Sequence, residues 1–209
     1  MDLTRRTVLA SGAVAAAGGA TAAEQPREKG PLVWMNMDQK ELDDAYDQAV
    51  YAPNQPQLGK RRNANSKLVW ERLGPPRRFA YGPTEIEGLD VWTTKKPNAP
   101  VMVFIHGGYW QALDESWFSF VAPPLLARGV SVAIPTYDLA PQVGLDRIVE
   151  QMRMAVEAVA ARTDAKPVVT GHSAGGHLSA CLLSEGRARA AVAIDSNSAA
   201  ASSLTSARR

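Results

Sequence analysis

The sequence has 209 residues, enough for one domain with a sizeable core, and its 45% hydrophobic and 21% charged residues are ordinary for a globular protein. The formal net charge of +2 is too small to indicate a protein that binds nucleic acid or a membrane surface. The single cysteine, Cys181, excludes a disulfide within the chain.

The N-terminal residues have the pattern of a twin-arginine signal peptide. Arg5 and Arg6 precede a mildly apolar run over residues 8–22, which ends on an Ala-Thr-Ala sequence typical of a cleavage site. We therefore expect residues 1–23 to direct the chain through the twin-arginine export machinery to a bacterial periplasm. The run is too short and too mild for a stable membrane anchor. The alternative is an unstructured N-terminus in which two arginines are adjacent by chance.

Residues 24–40 are rich in turn-forming residues and are predicted to form a loop. Asp38 is predicted to cap the helix that follows, because Glu41, three residues later, completes a capping box. Pro56 is predicted to lie beyond the end of this helix. Further helices are predicted over residues 63–72, 145–161 and 175–184, with another after Asp114 that two prolines interrupt.

Strands are predicted over residues 78–81, 89–93, 101–105, 130–134, 168–170 and 190–194. The run Val101–Ile105 is apolar throughout, which is typical of a strand buried on both faces of a parallel sheet. Since strands and helices alternate, we predict an α/β fold across residues 24–195, with a mostly parallel sheet and flanking helices. The Ser- and Ala-rich residues 196–209 are predicted to be a disordered tail, which would leave residues 190–194 as an exposed sheet edge.

The segment Gly171-His172-Ser173-Ala174-Gly175 matches the nucleophile-elbow pattern G-x-S-x-G. In such an elbow, a strained turn between a strand and a helix exposes the serine hydroxyl, and the positions two residues before and after it need little or no side chain. The predicted strand before Ser173 and the predicted helix after it supply the required context. The alternative is an ordinary glycine-rich turn. We favour Ser173 as a catalytic nucleophile.

A second glycine motif follows the apolar strand 101–105. Gly107 and Gly108 allow the backbone to approach a substrate oxygen closely, so their N–H groups can form half of an oxyanion hole. The other half is predicted to be the N–H of Ala174, the residue after the nucleophile. The alternative is a tight Gly-Gly turn beside a core tryptophan.

Three side chains around these glycines are candidates for the wall of a substrate pocket. Tyr109 and Trp110 are large aromatic residues that can contact an acyl or aryl group, although core packing is an equal alternative. His106 belongs to the same loop, and its side chain has the alternative role of ordering that loop.

The two motifs, His-Gly-Gly-Tyr-Trp at 106–110 and Gly-His-Ser-Ala-Gly-Gly-His at 171–177, together resemble the esterases related to kynurenine formamidase in the α/β-hydrolase superfamily. The stretch Tyr-Asp-Leu-Ala-Pro at 137–141 is similar to a Tyr-x-x-Ala-Pro stretch of these esterases, and the acidic segment 42–46 is similar to part of their N-terminal region. The resemblance covers residues 38–195. It implies an α/β-hydrolase fold and hydrolysis of small carboxylic esters or arylformamides through an acyl-enzyme on Ser173, with no cofactor and no metal.

The base that would activate Ser173 is not evident in the sequence. In this fold the nucleophile is followed in the chain by an Asp or Glu and then by a His. The three histidines stand at 106, 172 and 177, and the residues after Ser173 are too few for the further strands, helices and loops that carry an acid and a base. Asp138 and Asp195 are expected to be loop residues. We therefore expect a C-terminally incomplete domain, from a frameshift or premature stop, with poor solubility and little activity.

A second class of function remains open. A chain that lacks its base can be an inactive fragment or a non-catalytic α/β-hydrolase-fold protein that binds a small molecule. A dedicated binding protein would be expected to keep a well-formed C-terminal half, which favours the interrupted enzyme.

Overall fold

The computed structural model describes residues 27–163, 165–194 and 201–205. The predicted signal peptide, Asp195 and the remaining residues of the predicted tail lie outside the described part. The chain divides into two compact units, Met1–Tyr51 and Ala52–Arg209.

The described part of the first unit contains two short strands and two helices. The strands, β1 (Leu32–Trp34) and β2 (Met37–Asp38), pair antiparallel within the segment that was predicted to be a loop. They lead into α1 (Gln39–Tyr46) and α2 (Gln48–Tyr51). The predicted capping box is confirmed: Glu41 N donates to Asp38 Oδ1 over 2.9 Å, and Asp38 N donates to Glu41 Oε2 over 3.1 Å.

The second unit is built on one seven-stranded sheet. Its strands are β3 (Arg77–Ala80), β4 (Gly88–Trp92), β5 (Val101–Ile105), β6 (Ser131–Pro135), β7 (Val168–His172), β8 (Ala190–Ile194) and β9 (Ala201–Thr205). Their order across the sheet is β3-β4-β6-β5-β7-β8-β9, and the four central strands from β6 to β8 are parallel. The predicted α/β fold with a mostly parallel sheet is confirmed.

Helices cover both faces of this sheet. They are α3 (Gln55–Leu73), a 3-10 helix (Glu115–Val121) that runs into α4 (Ala122–Leu126), α5 (Leu145–Thr163) and α6 (Ala174–Ser184). The helix predicted over residues 63–72 begins earlier, at Gln55, so Pro56 lies in the first turn of α3, where a missing N–H breaks no helical bond. Within the described ranges, no helix is both long enough and apolar enough to cross a membrane.

The central strands bury apolar side chains on both faces of the sheet, which gives a core on each face. Along β5, Val103 and Ile105 pack into the core on the side of α5 and α6, whereas Phe104 packs into a second core beside α3 and α4. In β6, Ala133 faces the first core while its neighbours face the second. Burial on both faces is the reason that these strands read as continuous apolar runs.

One prediction about the outer edge of the sheet is wrong. Ala201–Thr205, predicted to be part of a disordered tail, forms β9 and pairs antiparallel with β8, so that Ala190–Ile194 is not a free edge. Pairing of this kind uses backbone N–H and C=O groups, which a segment of small residues supplies without any hydrophobic periodicity in its sequence.

Candidate active site

Ser173 lies between the central strand β7 and helix α6. Its backbone has φ 55° and ψ −118°, a conformation that non-glycine residues rarely adopt and that marks strain at functional turns. Ser173 N donates to the carbonyl oxygen of Ile194 at the end of β8 over 2.8 Å, which fixes the turn to the neighbouring strand. The structure therefore gives Ser173 the geometry that the sequence pattern predicted.

The two flanking glycines are required by close backbone contacts. A Cβ on Gly171 would lie 2.2 Å from the carbonyl carbon and oxygen of Gly175. A Cβ on Gly175 would lie 2.0 Å from the carbonyl oxygen of Ile105 in β5. The turn can be this tight only because both positions lack a side chain, which is the physical reason for the spacing in G-x-S-x-G.

The glycine loop after β5 meets this turn directly. A Cβ on Gly107 would lie 2.6 Å from the carbonyl oxygen of His172 and 3.1 Å from the Cβ of Ser173. Gly108 has φ 116°, and a Cβ there would lie 2.1 Å from the carbonyl oxygen of Ala112. The loop and the nucleophile turn are adjacent because β5 and β7 are paired parallel neighbours that end at the same edge of the sheet.

Helix α6 begins at this edge of the sheet. Ala174 is the first residue of α6, so its N–H is among those that have no acceptor within the helix. The positive end of the helix dipole favours a developing negative charge at the same point. The oxyanion hole of Gly107, Gly108 and Ala174 stays a prediction, and a donor of such a hole is typically worth about 3–4 kcal/mol in the transition state.

The side chain of His106 is buried beneath the glycine loop and does not line an open pocket. Its side chain is 1% exposed and stacks on Tyr137, with ring centroids 4.3 Å apart. His106 Nδ1 donates to the carbonyl oxygen of Gly107 over 2.8 Å, so Nδ1 carries the proton. Burial lowers the pKa of His106, which keeps the imidazole neutral. The suggestion that His106 contacts substrate is corrected to its alternative, the ordering of the loop.

Tyr109 and Trp110 lie on the outer side of the same loop. Tyr109 is 55% exposed, whereas Trp110 is half-buried and packs against the core. The ring of His177 meets Trp110 edge to face at 5.4 Å, and His177 Nε2 lies 3.7 Å from the sulfur of Cys181. His177 is exposed and contacts both of these groups on the face of α6. Tyr109 is the more exposed of the two aromatic residues that could meet a substrate.

The residues that bind the backbone of the glycine loop 106–110 were not predicted from the sequence. Tyr137 OH donates to the carbonyl oxygen of His106 over 2.8 Å, and Ala140 N donates to the carbonyl oxygen of Trp110 over 2.7 Å. The signal was present in the stretch 137–141, which was noted only as a resemblance. Asp138 lies in the same stretch and binds Gln151 of α5, so it is a loop residue, as predicted.

Other features of the described residues lie away from Ser173. A cavity of about 350 Å³ is lined by the first residues of β5 and β6 and by the end of α5, at the opposite edge of the parallel strands. Within residues 27–163, 165–194 and 201–205, no group of three or more His, Cys, Asp or Glu side chains is placed to hold a metal ion.

Comparison with known proteins gives matches of three kinds. The family model described as BD-FAE matches residues 89–206, from β4 through the glycine loop and the nucleophile turn. Kynurenine formamidase of Salmo salar is 41% identical over 108 residues, which are 50% of this chain and 37% of that protein. The crystal structure of a thioesterase candidate from Silicibacter sp. TM1040 is 37% identical, with a TM-score of 0.63 over 68% of this chain and 55% of that one.

A more distant structure shares the fold alone. Thermogutta terrifontis esterase 2, phosphonylated by cyclosarin, is 21% identical, with a TM-score of 0.52 over 57% of this chain and 56% of that one. The matched part of this chain thus spans little more than a third of the curated salmon relative and about half of the solved chains.

Proposed function

Because the chain belongs to the BD-FAE family and is an α/β-hydrolase-fold relative of kynurenine formamidase, we propose that it is a serine hydrolase of small carboxylic esters or arylformamides. The reaction passes through an acyl-enzyme on Ser173. The observation that supports this proposal most strongly is the juxtaposition of two motifs. A strained serine between β7 and α6 has the glycine loop packed directly against it, with room for no side chain at Gly107.

The proposed reaction has two steps. Ser173 Oγ attacks the carbonyl carbon of the substrate, and the oxygen that becomes negative accepts hydrogen bonds from the N–H groups of Gly107, Gly108 and Ala174. The alcohol, or the arylamine of a formamide, leaves with the proton that the serine has lost. Water then attacks the acyl group, which releases the carboxylic acid and returns a proton to Ser173. Tyr109 is the exposed aromatic side chain beside the incoming group.

Activation of the serine requires a base, and all three histidines have other contacts. His106 is buried beneath the glycine loop, and His177 lies between Trp110 and Cys181. Because His106 and His177 are engaged in these contacts, we propose that the 209-residue polypeptide reacts slowly. Its rate exceeds that of the uncatalysed reaction in water by about 10³–10⁴-fold. This is the acceleration that binding and an oxyanion hole still provide when a triad member is missing.

Hydrolysis of p-nitrophenyl acetate and of an N-formyl arylamine by the purified chain tests this proposal. We expect a slow reaction with saturation kinetics, accompanied by an acyl adduct on Ser173 after acid quenching, which Ser173→Ala removes. Ser184→Ala is the matched control, since Ser184 ends the same helix and its hydroxyl bonds only locally, to the carbonyl of Cys181. A rate typical of a complete triad, lost in Ser173→Ala, would contradict the proposed slow reaction.

The same experiment separates the alternative function. A non-catalytic binding protein would retain the ester without hydrolysing it and would form no adduct on Ser173. The contacts of His106 and His177 are the observation that favours that alternative, because they engage two side chains that could otherwise act as the base.

Export is a further part of the proposal. Residues 1–23 carry the Arg5-Arg6 pair ahead of an apolar run, and we propose that they engage the twin-arginine export machinery and place the chain in a bacterial periplasm. A green fluorescent protein fused to these residues should reach the periplasm folded. Replacing both arginines by lysine should retain it in the cytoplasm, and periplasmic signal from the double-lysine fusion would contradict this route.

A further inference from the structure

Gln151 on α5 has a fully buried amide with all its hydrogen-bonding groups engaged. Its Oε1 accepts from the backbone N–H of Asp138 over 2.9 Å, and its Nε2 donates to Asp138 Oδ2 over 2.8 Å. The second hydrogen on Nε2 is directed to Glu87 Oε1 over 3.3 Å. A glutamine amide has one acceptor oxygen and two donor hydrogens, so this side chain joins its two partners in one defined orientation.

Glu87 provides a fixed anchor on the far side of Gln151. Its side chain is fully buried, accepts a hydrogen bond from the N–H of Thr84 over 3.0 Å and is paired with Arg147. Gly82 leaves the space that it occupies, because a Cβ there would lie 2.4 Å from Glu87 Oε2. Burial raises the pKa of Glu87, but the hydrogen bonds from Thr84 and Gln151 and the positive charge of Arg147 together hold it below its usual range.

Asp138, on the near side, belongs to the stretch that supports the glycine loop. Its neighbour Tyr137 binds the carbonyl of His106, and Ala140 two residues later binds the carbonyl of Trp110. The two carbonyl groups flank Gly107 and Gly108, the proposed oxyanion donors. Gln151 thus binds the middle of the segment 137–140, and the two ends of that segment bind the two ends of the loop 106–110.

We propose that Gln151 is a positioning residue that fixes the glycine loop at residues 106–110 against the nucleophile turn, by holding Asp138 to the anchored Glu87. This inference rests on the proposed hydrolase function for its catalytic consequence, but the positioning itself can be measured without turnover. The hydrogen bonds of Gln151 go to Asp138 and Glu87, so its effect on the reaction is indirect.

Amide hydrogen exchange in the Gln151→Met chain tests the positioning. Methionine keeps the length and the apolar stem but removes every hydrogen bond of the amide. The N–H groups of Gln111 and Ala112, which donate to the carbonyl of Gly108 over 2.9 and 3.0 Å, report on the loop. We expect exchange in residues 106–113 and 137–143 to rise at least about 10-fold, while residues 155–163 at the other end of α5 stay unchanged.

Two further variants make the result specific. Met152→Leu is the control, because Met152 is the next residue of α5, is equally buried in the core and belongs to none of these hydrogen bonds; it should leave loop exchange unchanged. Asp138→Ala lies on a half-buried loop and removes the bond from Gln151 Nε2 but keeps the one from its own backbone N–H to Gln151 Oε1, so it should raise loop exchange less than Gln151→Met and still decides the question if Gln151→Met does not fold. The double variant should show no more loop exchange than Gln151→Met alone.

Kinetics supply the second readout. If the wild-type chain hydrolyses p-nitrophenyl acetate, Gln151→Met should lower kcat about 10- to 100-fold with KM within about 2-fold, since misplaced oxyanion donors affect the transition state alone. Exchange that rises equally throughout the chain, or a loop unaffected by either variant, would overturn the positioning role. A wild-type chain without hydrolysis would instead refute the proposed function, and loop exchange alone would decide this inference.

Discussion

A methyl group at Gly175 is the sharpest test of the nucleophile turn. A Cβ there would lie 2.0 Å from the carbonyl oxygen of Ile105 and 2.7 Å from that of His106, whereas real Cβ atoms essentially never come closer than 3.0 Å. Both neighbours are backbone atoms at the end of β5, so no side chain can rotate to make room. The start of α6 must move away from the sheet by about 1 Å in Gly175→Ala.

The expected cost follows from this geometry. Overpacking a core typically costs about 1–3 kcal/mol, and a clash between a helix and the backbone of a central strand belongs at the upper end of that range. In a domain of 150–250 residues, each kcal/mol lowers Tm by about 2–4 °C. We therefore expect Gly175→Ala to lower the free energy of unfolding by about 3 kcal/mol and Tm by about 6–12 °C.

Gly176→Ala is the matched control one residue further along α6. The nearest atoms to a Cβ there are the carbonyl oxygen of Gly171 at 3.3 Å and the Cβ of Ala193 at 3.4 Å, which a small local shift can accommodate. Alanine in a helix is favoured over glycine by up to about 1 kcal/mol, so this variant should be near neutral. Thermal unfolding followed by circular dichroism measures both. Equal Tm values for Gly175→Ala and the wild type would refute the close contact between elbow and strand.

Three further predictions concern other parts of the described chain. In Gly107→Ala, a Cβ 2.6 Å from a carbonyl oxygen of the nucleophile turn should push the loop from Ser173 and slow ester hydrolysis at least about 10-fold, measured as kcat. The pKa of Glu87 is held below its usual range, so the ionised carboxylate stabilises the fold at neutral pH, and this stabilisation is lost as the pH falls. Between about pH 7 and 3, the free energy of unfolding in urea should therefore fall more in the wild type than in Glu87→Gln. Equal decreases in the two chains would contradict this. Asp38→Ala should cost about 1 kcal/mol by removing the cap of α1, seen as faster amide exchange in residues 39–46, whereas Asp38→Asn should retain most of the protection.

The sequence was sufficient where structure depends on local patterns. The apolar run Val101–Ile105 forms a strand with the predicted bounds, and the capping box of Asp38 and Glu41 is present. The nucleophile turn was predictable because G-x-S-x-G records a steric requirement of the backbone itself, which the contacts of Gly171 and Gly175 now explain.

The sequence was insufficient where structure depends on distant partners. Glu87 and Gln151 are 64 residues apart in the chain, and no local pattern indicates that their side chains meet. His106 was placed among substrate contacts because its partner Tyr137 lies 31 residues further on. Ala201–Thr205 was taken for disordered chain because its pairing with β8 uses backbone groups, which leave no periodic signal in the side chains.

Covalent labelling tests most directly the central claim that Ser173 is a nucleophile facing an oxyanion hole. The purified chain would be incubated with an alkyl fluorophosphonate, digested, and every modified serine identified by tandem mass spectrometry. We predict one phosphonate adduct, on Ser173, that Ser173→Ala removes and Gly107→Ala slows at least about 10-fold. Adducts spread over several exposed serines, or labelling of Ser173 at the same rate in Gly107→Ala, would contradict the account.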